Sequence, residues 1–565
     1  MNAFCQFEQA LLECADKTAL VGGNGGQRRE ISFRQLDAQV SSVAAQLIQG
    51  GLRRGDRVLL AVPVSIETYV VMLAVMKAGM VTMFIDPAHS AKRIAKILAA
   101  WPPHAVISTK AIMLFRFLMP ELRSIPKRFV LGGASAGAQT LSFDVEDGVL
   151  FKTEVRSTGD PALLTFTSGS TGEPKPVLRS HGFLREQLSI LNEIADVRED
   201  DIDYVAMPMF VLFNLGNSIS SIIPAVDMKR PGKADPGRVY EQMTRERVTR
   251  TVASPALLEQ LANYCLVNHL SLPNVRCVAT GGGPVEPLLS RKLKRVAPQA
   301  NIRMVYGSTE AEPIACLDDQ EISIDDRSRM RRGDGLLVGR PVRGCDVRVI
   351  QTRPGIPIES CSAAEYEALG KACDEIGEIA VSGKHVLQGY ADRSRNRSTK
   401  INVEGTTWHR TGDAGYMDEN GRLWLVGRCS AAIVDSRGSV YPFQVEYAIG
   451  TVRGVRRAAL VEFEKQKVLA LETTGREFQS DCSAAARCIS DYHIDRIVTL
   501  RRIPMDKRHN AKVDYPALRK LLDGRFSRGR YLLVEALSAT YRALNLMLRN
   551  VIDAVSRRFA GLGTR

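Results

Sequence analysis

The sequence has few aromatic residues, no closely paired cysteines and no long uninterrupted hydrophobic run, and each absence excludes a class of protein. Aromatic residues make up only 6% of the chain, and no zinc-finger or RNA-recognition signature is present, so we expect no specific nucleic-acid binding. The eleven cysteines include no C-x-x-C pair, which argues against a zinc site. This cysteine usage is typical of a reduced, cytoplasmic protein.

The sequence predicts neither secretion nor a membrane span. Glu8 and Glu13 lie where a signal peptide needs a positive start followed by an apolar run. The most apolar stretch, residues 58–84, is interrupted by Glu67 and Lys77. We therefore expect a buried strand followed by a packed helix in this stretch, and not a transmembrane helix.

Length, composition and charge are those of a large globular protein with an anionic partner. The chain has 565 residues, of which 45% are hydrophobic and 24% charged, so two or more cores are expected. The net charge of +14 suits ATP, an acidic carrier protein, nucleic acid or a membrane surface, and selects none of them. We interpret the basic cluster at residues 393–400 as a solvated loop or helix start.

Hydrophobic patterning indicates an α/β fold. From Asp56 onward, short β-branched runs alternate with helical patterns, which predicts a core of largely parallel strands. Between residues 339 and 425 short strands and turns predominate and indicate a small β-rich subdomain. The predicted strands include residues 57–62, 105–107, 203–207, 276–280, 345–350 and 378–381, and residues 66–76 form a predicted helix.

The most informative segment is a loop that is suited to holding a polyphosphate. Its glycines let backbone N–H groups approach phosphate oxygens, its hydroxyls are neutral donors, and its lysine adds a positive charge. The spacing fits neither a P-loop nor the G-x-G-x-x-G dinucleotide fingerprint. The loop contains Thr167, Ser168, Gly169, Ser170, Thr171, Gly172, Glu173, Pro174 and Lys175.

Further motifs follow one another along almost the whole chain. They are residues 31–36, 77–79, 85–87, 280–284 (with Gly282 and Gly283), 306–310 (Tyr306-Gly307-Ser308-Thr309-Glu310), 377–379, 410–413 (Arg410-Thr411-Gly412-Asp413), Gly427-Arg428 and the late Lys512. Together with the phosphate loop, this ordered set resembles the adenylate-forming superfamily, which includes acyl-CoA synthetases, peptide-synthetase adenylation domains and luciferases. The resemblance implies an enzyme that uses ATP and Mg²⁺ to convert a carboxylate into an acyl-AMP with release of pyrophosphate.

The same resemblance implies a role for each motif. The loop residues 167–175 would grip the β- and γ-phosphates, Glu310 would hold Mg²⁺, and Thr309 would contact the α-phosphate. Lys512 would stabilise the charge that grows in the transition state. On the nucleoside side, the implied contacts are Tyr306 with adenine beside Gly282 and Gly283, Asp413 with both ribose hydroxyls, and Arg428 with the same sugar.

The resemblance also implies a division of the chain. A large adenylation domain would span residues 1–426, and a smaller mobile α+β domain that carries Lys512 would span residues 427–525. The remaining residues, 526–565, have apolar positions at helical spacing and predict an amphipathic tail. We expect this tail to pack against the body or a second subunit rather than contact an anionic membrane surface, and the oligomeric state is left open.

Several departures from the common pattern indicate one branch of the superfamily. No acidic residue follows Gly427-Arg428, the Pro208-Met209-Phe210-Val211 stretch lacks the usual histidine, and Lys512 follows Arg508-His509-Asn510-Ala511. These variants resemble the olefin β-lactone synthetases of long-chain hydrocarbon biosynthesis. That branch implies a 2-alkyl-3-hydroxy fatty acid substrate, whose own hydroxyl attacks the acyl-AMP, and partner enzymes of a hydrocarbon or lipid pathway.

Three alternatives to β-lactone formation stay open on the sequence. A fatty-acyl-CoA ligase would transfer the acyl group to coenzyme A, and an acyl-AMP ligase would transfer it to an acyl carrier protein. A non-catalytic scaffold of the same fold would release no pyrophosphate with any acid. The presence of all the implied ligand-binding residues disfavours the scaffold.

Overall fold

The computed structural model describes residues 2–23, 27–87, 89–145, 151–168, 174–228, 231–285, 287–353, 355–358, 360–452, 454–473, 491–505 and 513–526. Its helices are α1 (Cys5–Glu13), α2 (Phe33–Gln49), α3 (Ile66–Lys77), α4 (Ala91–Ala100), α5 (Lys110–Leu114), α6 (Pro120–Arg123), α7 (His181–Ile194), α8 (Phe210–Gly216), α9 (Pro236–Arg245), α10 (Pro255–Val267), α11 (Pro287–Val296), α12 (Ile324–Arg332), α13 (Ala363–Ala368), α14 (Asn396–Thr399), α15 (Pro442–Gly450) and α16 (Tyr515–Phe526).

The strands of the two large sheets are β1 (Thr18–Gly22), β2 (Arg29–Ser32), β3 (Arg57–Ala61), β4 (Val81–Met83), β5 (Ala105–Thr109), β6 (Lys127–Leu131), β7 (Gln139–Thr140), β8 (Pro161–Ser168), β9 (Pro174–Ser180), β10 (Ile202–Val205), β11 (Ser220–Ile222), β12 (Arg250–Ala253), β13 (Cys277–Gly281), β14 (Asn301–Ser308), β15 (Ala311–Asp318), β16 (Leu336–Pro341), β17 (Asp346–Ile350), β18 (Ser360–Cys361), β19 (Gly377–Ser382), β20 (Lys400–Val403), β21 (Thr406–Met417) and β22 (Leu423–Arg428). The remaining strands are β23 (Ile433–Asp435), β24 (Gly438–Val440), β25 (Val455–Phe463), β26 (Gln466–Thr473) and β27 (Arg496–Leu500).

The first large sheet has a parallel half and an antiparallel half. Strands β14, β13, β12, β10, β11 and β1 lie side by side and run parallel. From β15 onward the neighbours are antiparallel, and β16 joins β22, β21, β19 and β17 to the same sheet. The short strands predicted between residues 339 and 425 are therefore present, and they extend the large sheet.

The second large sheet has the order β7-β6-β5-β3-β4-β8-β9, in which only β9 is antiparallel to its neighbour. Helices α2 and α3 pack between the two sheets, and α2 begins with a capping box between Ser32 and Gln35. Nearly every residue of α3 is buried, as expected for a helix that is apolar on all sides. The charged end of α3 is paired, because the Lys77 Nζ donates to Asp37 at 2.7 Å.

The C-terminal unit has a small sheet with a helix on each face. Strands β25, β26 and β27 are hydrogen-bonded neighbours. One face packs against α15, and the other packs against α16 through Leu518 and Leu522. Hydrogen bonds from Gln444 and Tyr492 to the Gly333 carbonyl, both 2.9 Å, connect this unit to the rest of the chain. The predicted boundaries at 426/427 and 525/526 stay predictions.

The strongest apolar stretch has the predicted structure. Residues 58–84 form β3, α3 and β4, and most of their side chains are buried. Across the described ranges, no helix combines the length and apolar character that crossing a bilayer requires. The predicted amphipathic tail at residues 526–565 lies, apart from Phe526, outside the described residues.

Candidate active site

The predicted phosphate loop connects two antiparallel strands. Strand β8 ends at Ser168 and β9 begins at Pro174, with Thr167 opposite Lys175 in the register. The central loop residues Gly169, Ser170, Thr171 and Gly172 lie outside the described residues. Lys175 is the part of this loop whose side chain is described, and its Nζ lies 5.8 Å from the ring centroid of Tyr390. Burial lowers the pKa of Lys175, and the Glu310 charge opposes that shift.

The predicted nucleoside-binding residues are adjacent in the structure. Gly281 is paired with Val305 across the parallel strands β13 and β14, so Gly282 and Tyr306 follow side by side. The Tyr306 hydroxyl donates to Asp413 Oδ2 at 2.8 Å, and Arg428 Nη1 lies 3.0 Å from Asp413 Oδ1. Burial, followed by the Asp413 charge, holds the pKa of Tyr306 well above its usual value, so the phenol remains a hydrogen-bond donor.

Asp413 keeps acceptor capacity beyond its two side-chain contacts. An ionised carboxylate has about four lone-pair sites, and Tyr306 and Arg428 occupy one on each oxygen. The Asp413 backbone is fixed by a 3.0 Å bond from its N–H to the Thr411 hydroxyl. Arg428 is held in turn, because its Nη1 donates to the Thr411 carbonyl at 3.0 Å. The remaining acceptor capacity of Asp413 matches two adjacent sugar hydroxyls.

The predicted metal residue is held by a side chain that the motifs did not reveal. The Tyr390 hydroxyl donates to Glu310 Oε1 at 2.7 Å, which orients the carboxylate and occupies one of its acceptor sites. Burial and the Glu310 charge raise the pKa of Tyr390, so this donor keeps its proton. A carboxylate oxygen is a hard ligand that suits Mg²⁺. Glu310 could therefore hold Mg²⁺, which is the role that the family resemblance implies, and this role stays a prediction.

Backbone hydrogen bonds hold the main chain at Glu310. The Leu387 N–H donates to the Glu310 carbonyl at 2.7 Å, and Ala311 pairs with Val386 in an isolated bridge. The Lys400 Nζ donates to the Leu387 carbonyl and lies 5.8 Å from the Tyr390 ring centroid. Residues 386–390, which we call the strap, thus pack over Glu310, and the hydrogen bond from Lys400 holds the strap in place.

Lys400 corrects one expectation from the sequence. The cluster at residues 393–400 was expected to be solvated, and its first part does form a 3₁₀ turn and the short helix α14. Lys400, however, is only 7% exposed. Burial lowers its pKa to about 7, and the Glu310 charge opposes the shift. No local sequence pattern signals this burial, because the strap reaches Lys400 only through tertiary packing.

Thr309 is tied to the second sheet through its backbone. The Arg179 Nη2 of β9 donates to the Thr309 carbonyl at 2.9 Å. Arg179 is buried, so this bond fixes the turn between β14 and β15 relative to the phosphate hairpin. The arrangement leaves the Thr309 side chain as the part that would contact an α-phosphate.

The histidines nearest the motifs have structural surroundings. His181 Nδ1 accepts from the Ala3 N–H at 3.0 Å, and burial lowers its pKa to about 4. His409 Nδ1 lies 3.1 Å from the Thr399 carbonyl, and burial holds its pKa well below the usual value. Neither imidazole is placed as a general base.

Comparison with known proteins identifies the family. A family model described as AMP-binding enzyme matches residues 7–391. This chain belongs to the AMP-binding enzyme family. The site geometry and the family together make the protein an ATP-dependent, AMP-forming enzyme of the ligase or synthetase type.

Curated relatives from bacteria and plants cover most of the chain. The olefin beta-lactone synthetase of Xanthomonas campestris pv. campestris is 32% identical over 87% of this chain and 91% of its own length. That of Stenotrophomonas maltophilia is 30% identical over 90% of this chain and 94% of its length. A 4-coumarate-CoA ligase of Oryza sativa is 26% identical over 80% of each chain. These relatives confirm the predicted superfamily and branch resemblance.

Solved structures confirm the predicted α/β fold class. The amide bond synthetase McbA from Marinactinospora thermotolerans superposes with a TM-score of 0.75 at 21% identity, over 92% of this chain and 99% of that chain. ATP-bound MatB from Rhodopseudomonas palustris gives 0.73 at 21% identity, over 92% and 98%. At this identity the likeness establishes the fold alone.

The predicted catalytic lysine lies outside the described residues. Lys512 precedes α16, and the structure describes that helix. The Tyr515 hydroxyl donates to Glu446 Oε1 at 2.8 Å, and Glu446 also accepts from the Leu460 N–H at 2.9 Å. Burial raises the pKa of Glu446 to about 7. The assignment of Lys512 stays a prediction.

Proposed function

We propose that the enzyme activates a 2-alkyl-3-hydroxy fatty acid as its acyl-AMP and then forms a β-lactone from it. In the first step a carboxylate oxygen attacks the α-phosphorus of ATP and pyrophosphate leaves. In the second step the substrate's 3-hydroxyl oxygen attacks the acyl carbon, its proton is lost, and the bond to AMP breaks. An internal nucleophile gains from proximity and needs no thiol acceptor.

The observation that supports this proposal is the similarity to two olefin beta-lactone synthetases over nearly the whole chain, at 32% and 30% identity. The 4-coumarate-CoA ligase matches a smaller share of the chain at 26%. The departures of this chain from the common motif pattern of the superfamily agree with the proposal. Val211, which stands where the usual pattern has histidine, is fully buried in α8, so it is a core residue and offers no polar group to a substrate.

The described side chains have defined tasks in the first step. Asp413 binds and orients the ribose, Tyr306 lies against the adenine, and Lys175 approaches the phosphates. Glu310 would hold Mg²⁺, which neutralises phosphate charge when it is bound. Tyr390 and the strap at residues 386–390 keep that carboxylate in place before the nucleotide arrives. Such preorganisation avoids reorganisation during the reaction.

A second candidate is a fatty-acyl-CoA ligase, which shares the first step and transfers the acyl group to coenzyme A. The coenzyme A ligases among the relatives support it. An acyl-AMP ligase that serves a carrier protein would differ only in the acceptor. All three predict pyrophosphate release with a fatty acid, and they differ in the product.

Product analysis by mass spectrometry separates these candidates. The purified protein is given ATP, Mg²⁺ and a long-chain 2-alkyl-3-hydroxy acid, with and without coenzyme A. We expect AMP and a product lighter than the acid by one water, formed without the thiol. An acyl-CoA that forms only with the thiol contradicts β-lactone formation and supports the ligase.

A matched substrate isolates the second step. The same 2-alkyl acid without the 3-hydroxyl retains the carboxylate and chain, so we expect pyrophosphate and acyl-AMP but no dehydrated product. The variant Lys512→Ala is expected to lower pyrophosphate release with either acid, because a transition-state cation is removed. An unchanged rate contradicts the assignment of Lys512.

A further inference from the structure

The connection between β5 and β6 exposes large apolar side chains on a basic background. Leu114, Phe115, Phe117 and Leu118 are 64%, 58%, 66% and 81% exposed. Among the described residues, the large hydrophobic side chains that are exposed number sixteen, and four of them lie in this five-residue span. Scattered exposed hydrophobics are normal, but a cluster of this kind marks an interaction surface.

This exposure belongs to an ordered segment. Met113 and Ile125, at either side of the exposed residues, are 4% and 2% exposed and pack into the core of the second sheet. The Leu118 N–H donates to the Phe115 carbonyl at 2.9 Å, and Arg116 Nη2 donates to the Ala136 carbonyl at 2.7 Å. The exposed side chains therefore belong to a segment whose backbone is anchored to the core of the second sheet.

The charge around the exposed side chains has one dominant sign. Residues 110–123 contain a single acid, Glu121, and the bases Lys110, Arg116 and Arg123. Arg116 donates to a backbone carbonyl, which carries no formal charge to offset that of the guanidinium. Large apolar groups with flanking lysine and arginine are the pattern of segments that lie in the interface of an anionic membrane.

The position of this segment relates it to the active site. Strands β5, β3, β4 and β8 run parallel, so the segment that follows β5 and the hairpin that follows β8 leave the same edge of the sheet. Three strand spacings separate them, or about 14 Å. A surface that docked here would therefore face the edge at which the phosphate hairpin lies.

We propose that the 110–123 surface, which consists of Lys110, Leu114, Phe115, Phe117, Leu118 and Arg123, docks the enzyme reversibly on an anionic lipid membrane. The apolar side chains enter the boundary between headgroups and acyl chains, and the cations pair with lipid phosphates. The proposal is independent of the predicted amphipathic tail and of the product of the reaction.

Vesicle sedimentation with the full-length protein tests the proposal. Wild type is expected to bind vesicles of phosphatidylcholine with phosphatidylglycerol, to bind phosphatidylcholine alone much more weakly, and to lose binding at high salt. Phe117→Ser with Leu118→Ser should lower the partition coefficient about tenfold or more, since buried apolar area sets the affinity. Lys110→Ser with Arg123→Ser should cost about as much, because each cation near the surface contributes about 1 kcal/mol.

The matched control is Leu12→Ser, because Leu12 is a lone exposed leucine on α1, 85% exposed, and its loss should leave binding unchanged. Amide hydrogen exchange over residues 110–118 should be slower with anionic vesicles present than in solution without vesicles. Absence of wild-type binding, or binding by both double variants that is as strong as that of the wild type, overturns the proposal. So does a wild-type oligomer that the Phe117 and Leu118 variant dissociates, since the surface would then join two copies.

Discussion

The two halves of the candidate active site are built in different ways. In the nucleoside half, Tyr306 and Arg428 both contact Asp413 directly, and each of the three would touch the ligand. The acidic half consists of Glu310, Tyr390 and Lys400. Of these three residues, Glu310 would touch the ligand, whereas Tyr390 holds Glu310 and Lys400 holds the strap at residues 386–390. The predicted ligand contacts lie in short sequence motifs, whereas supporting contacts come from segments that only folding brings together.

The largest expected effect is at the centre of the nucleoside half. Asp413→Ala removes the ribose acceptors and also leaves Tyr306 and Arg428 without their carboxylate partner. Each charged hydrogen bond contributes about 1.5–3 kcal/mol, so we expect kcat/KM for ATP to fall about a hundredfold to a thousandfold. The measurement is pyrophosphate release at varied ATP, with thermal unfolding as a check on folding.

Asp392→Ala is the matched acidic control, since Asp392 lies on the surface and caps a turn through the Ser394 N–H. Its kcat/KM for ATP should match the wild type. An Asp413→Ala enzyme with an unchanged KM for ATP contradicts the ribose role. It would also remove the basis for the nucleoside half of the comparison.

The sequence predicts the fold class well, for a physical reason, whereas the ligand-binding residues stay predictions. The strand and the helix in residues 57–77 follow directly from the periodicity of apolar residues. Each residue of the phosphate loop and of the other motifs has a side chain or backbone whose chemistry suits a nucleotide contact. Tyr390, Arg179 and the buried state of Lys400 were not predicted. A tyrosine that supports a carboxylate 80 positions away has the same local sequence as a core tyrosine, so no local pattern separates the two.

The acidic half should respond to pH through Lys400. Burial lowers the pKa of Lys400 to about 7 in the native protein, whereas a lysine in the unfolded chain has a pKa of about 10.4. Between these values the unfolded state binds the additional proton, so native stability rises with pH in that window. The Lys400→Met variant has no titratable group at this position in either the native or the unfolded state. We expect its stability relative to wild type to be more favourable near pH 6 than near pH 9, by about 2 kcal/mol.

Thermal or denaturant unfolding at the two pH values measures this difference. The matched control is Lys292→Met, because Lys292 is paired on the surface with Glu259 at 3.2 Å. That pair contributes little to stability, so Lys292→Met measures the effect of replacing a surface lysine by methionine. Equal stability differences for Lys400→Met at both pH values would show that Lys400 stays charged in the native state and that Glu310 compensates its burial fully.

The next effect isolates the support of Glu310. Tyr390→Phe removes the hydroxyl that fixes Oε1 and keeps the ring beneath Lys175 and Lys400. One hydrogen bond to a charged group is lost, so we expect the Mg²⁺ concentration for half-maximal pyrophosphate release to rise about tenfold. Calorimetric binding of Mn²⁺ in the presence of a non-hydrolysable ATP analogue should weaken in parallel, which separates a metal effect from a general loss of activity.

Tyr366→Phe is the matched control for this variant. Tyr366 is also buried and packs against an aromatic ring, but its hydroxyl has no hydrogen-bond partner among the described residues. Its metal dependence should be that of the wild type. If Tyr366→Phe and Tyr390→Phe shift the Mg²⁺ dependence equally, the strap has no specific role at Glu310.

The smallest expected effect returns to the nucleoside half. Arg428 is 54% exposed, so solvent screens its charge and the pair with Asp413 contributes little by itself. Arg428→Lys keeps the charge but loses the geometry that reaches both Asp413 and the Thr411 carbonyl. We expect KM for ATP to rise about threefold and kcat to change little. A loss as large as that of Asp413→Ala would mean that Arg428 orients the carboxylate, as Tyr390 does for Glu310, and the two halves would then share one design.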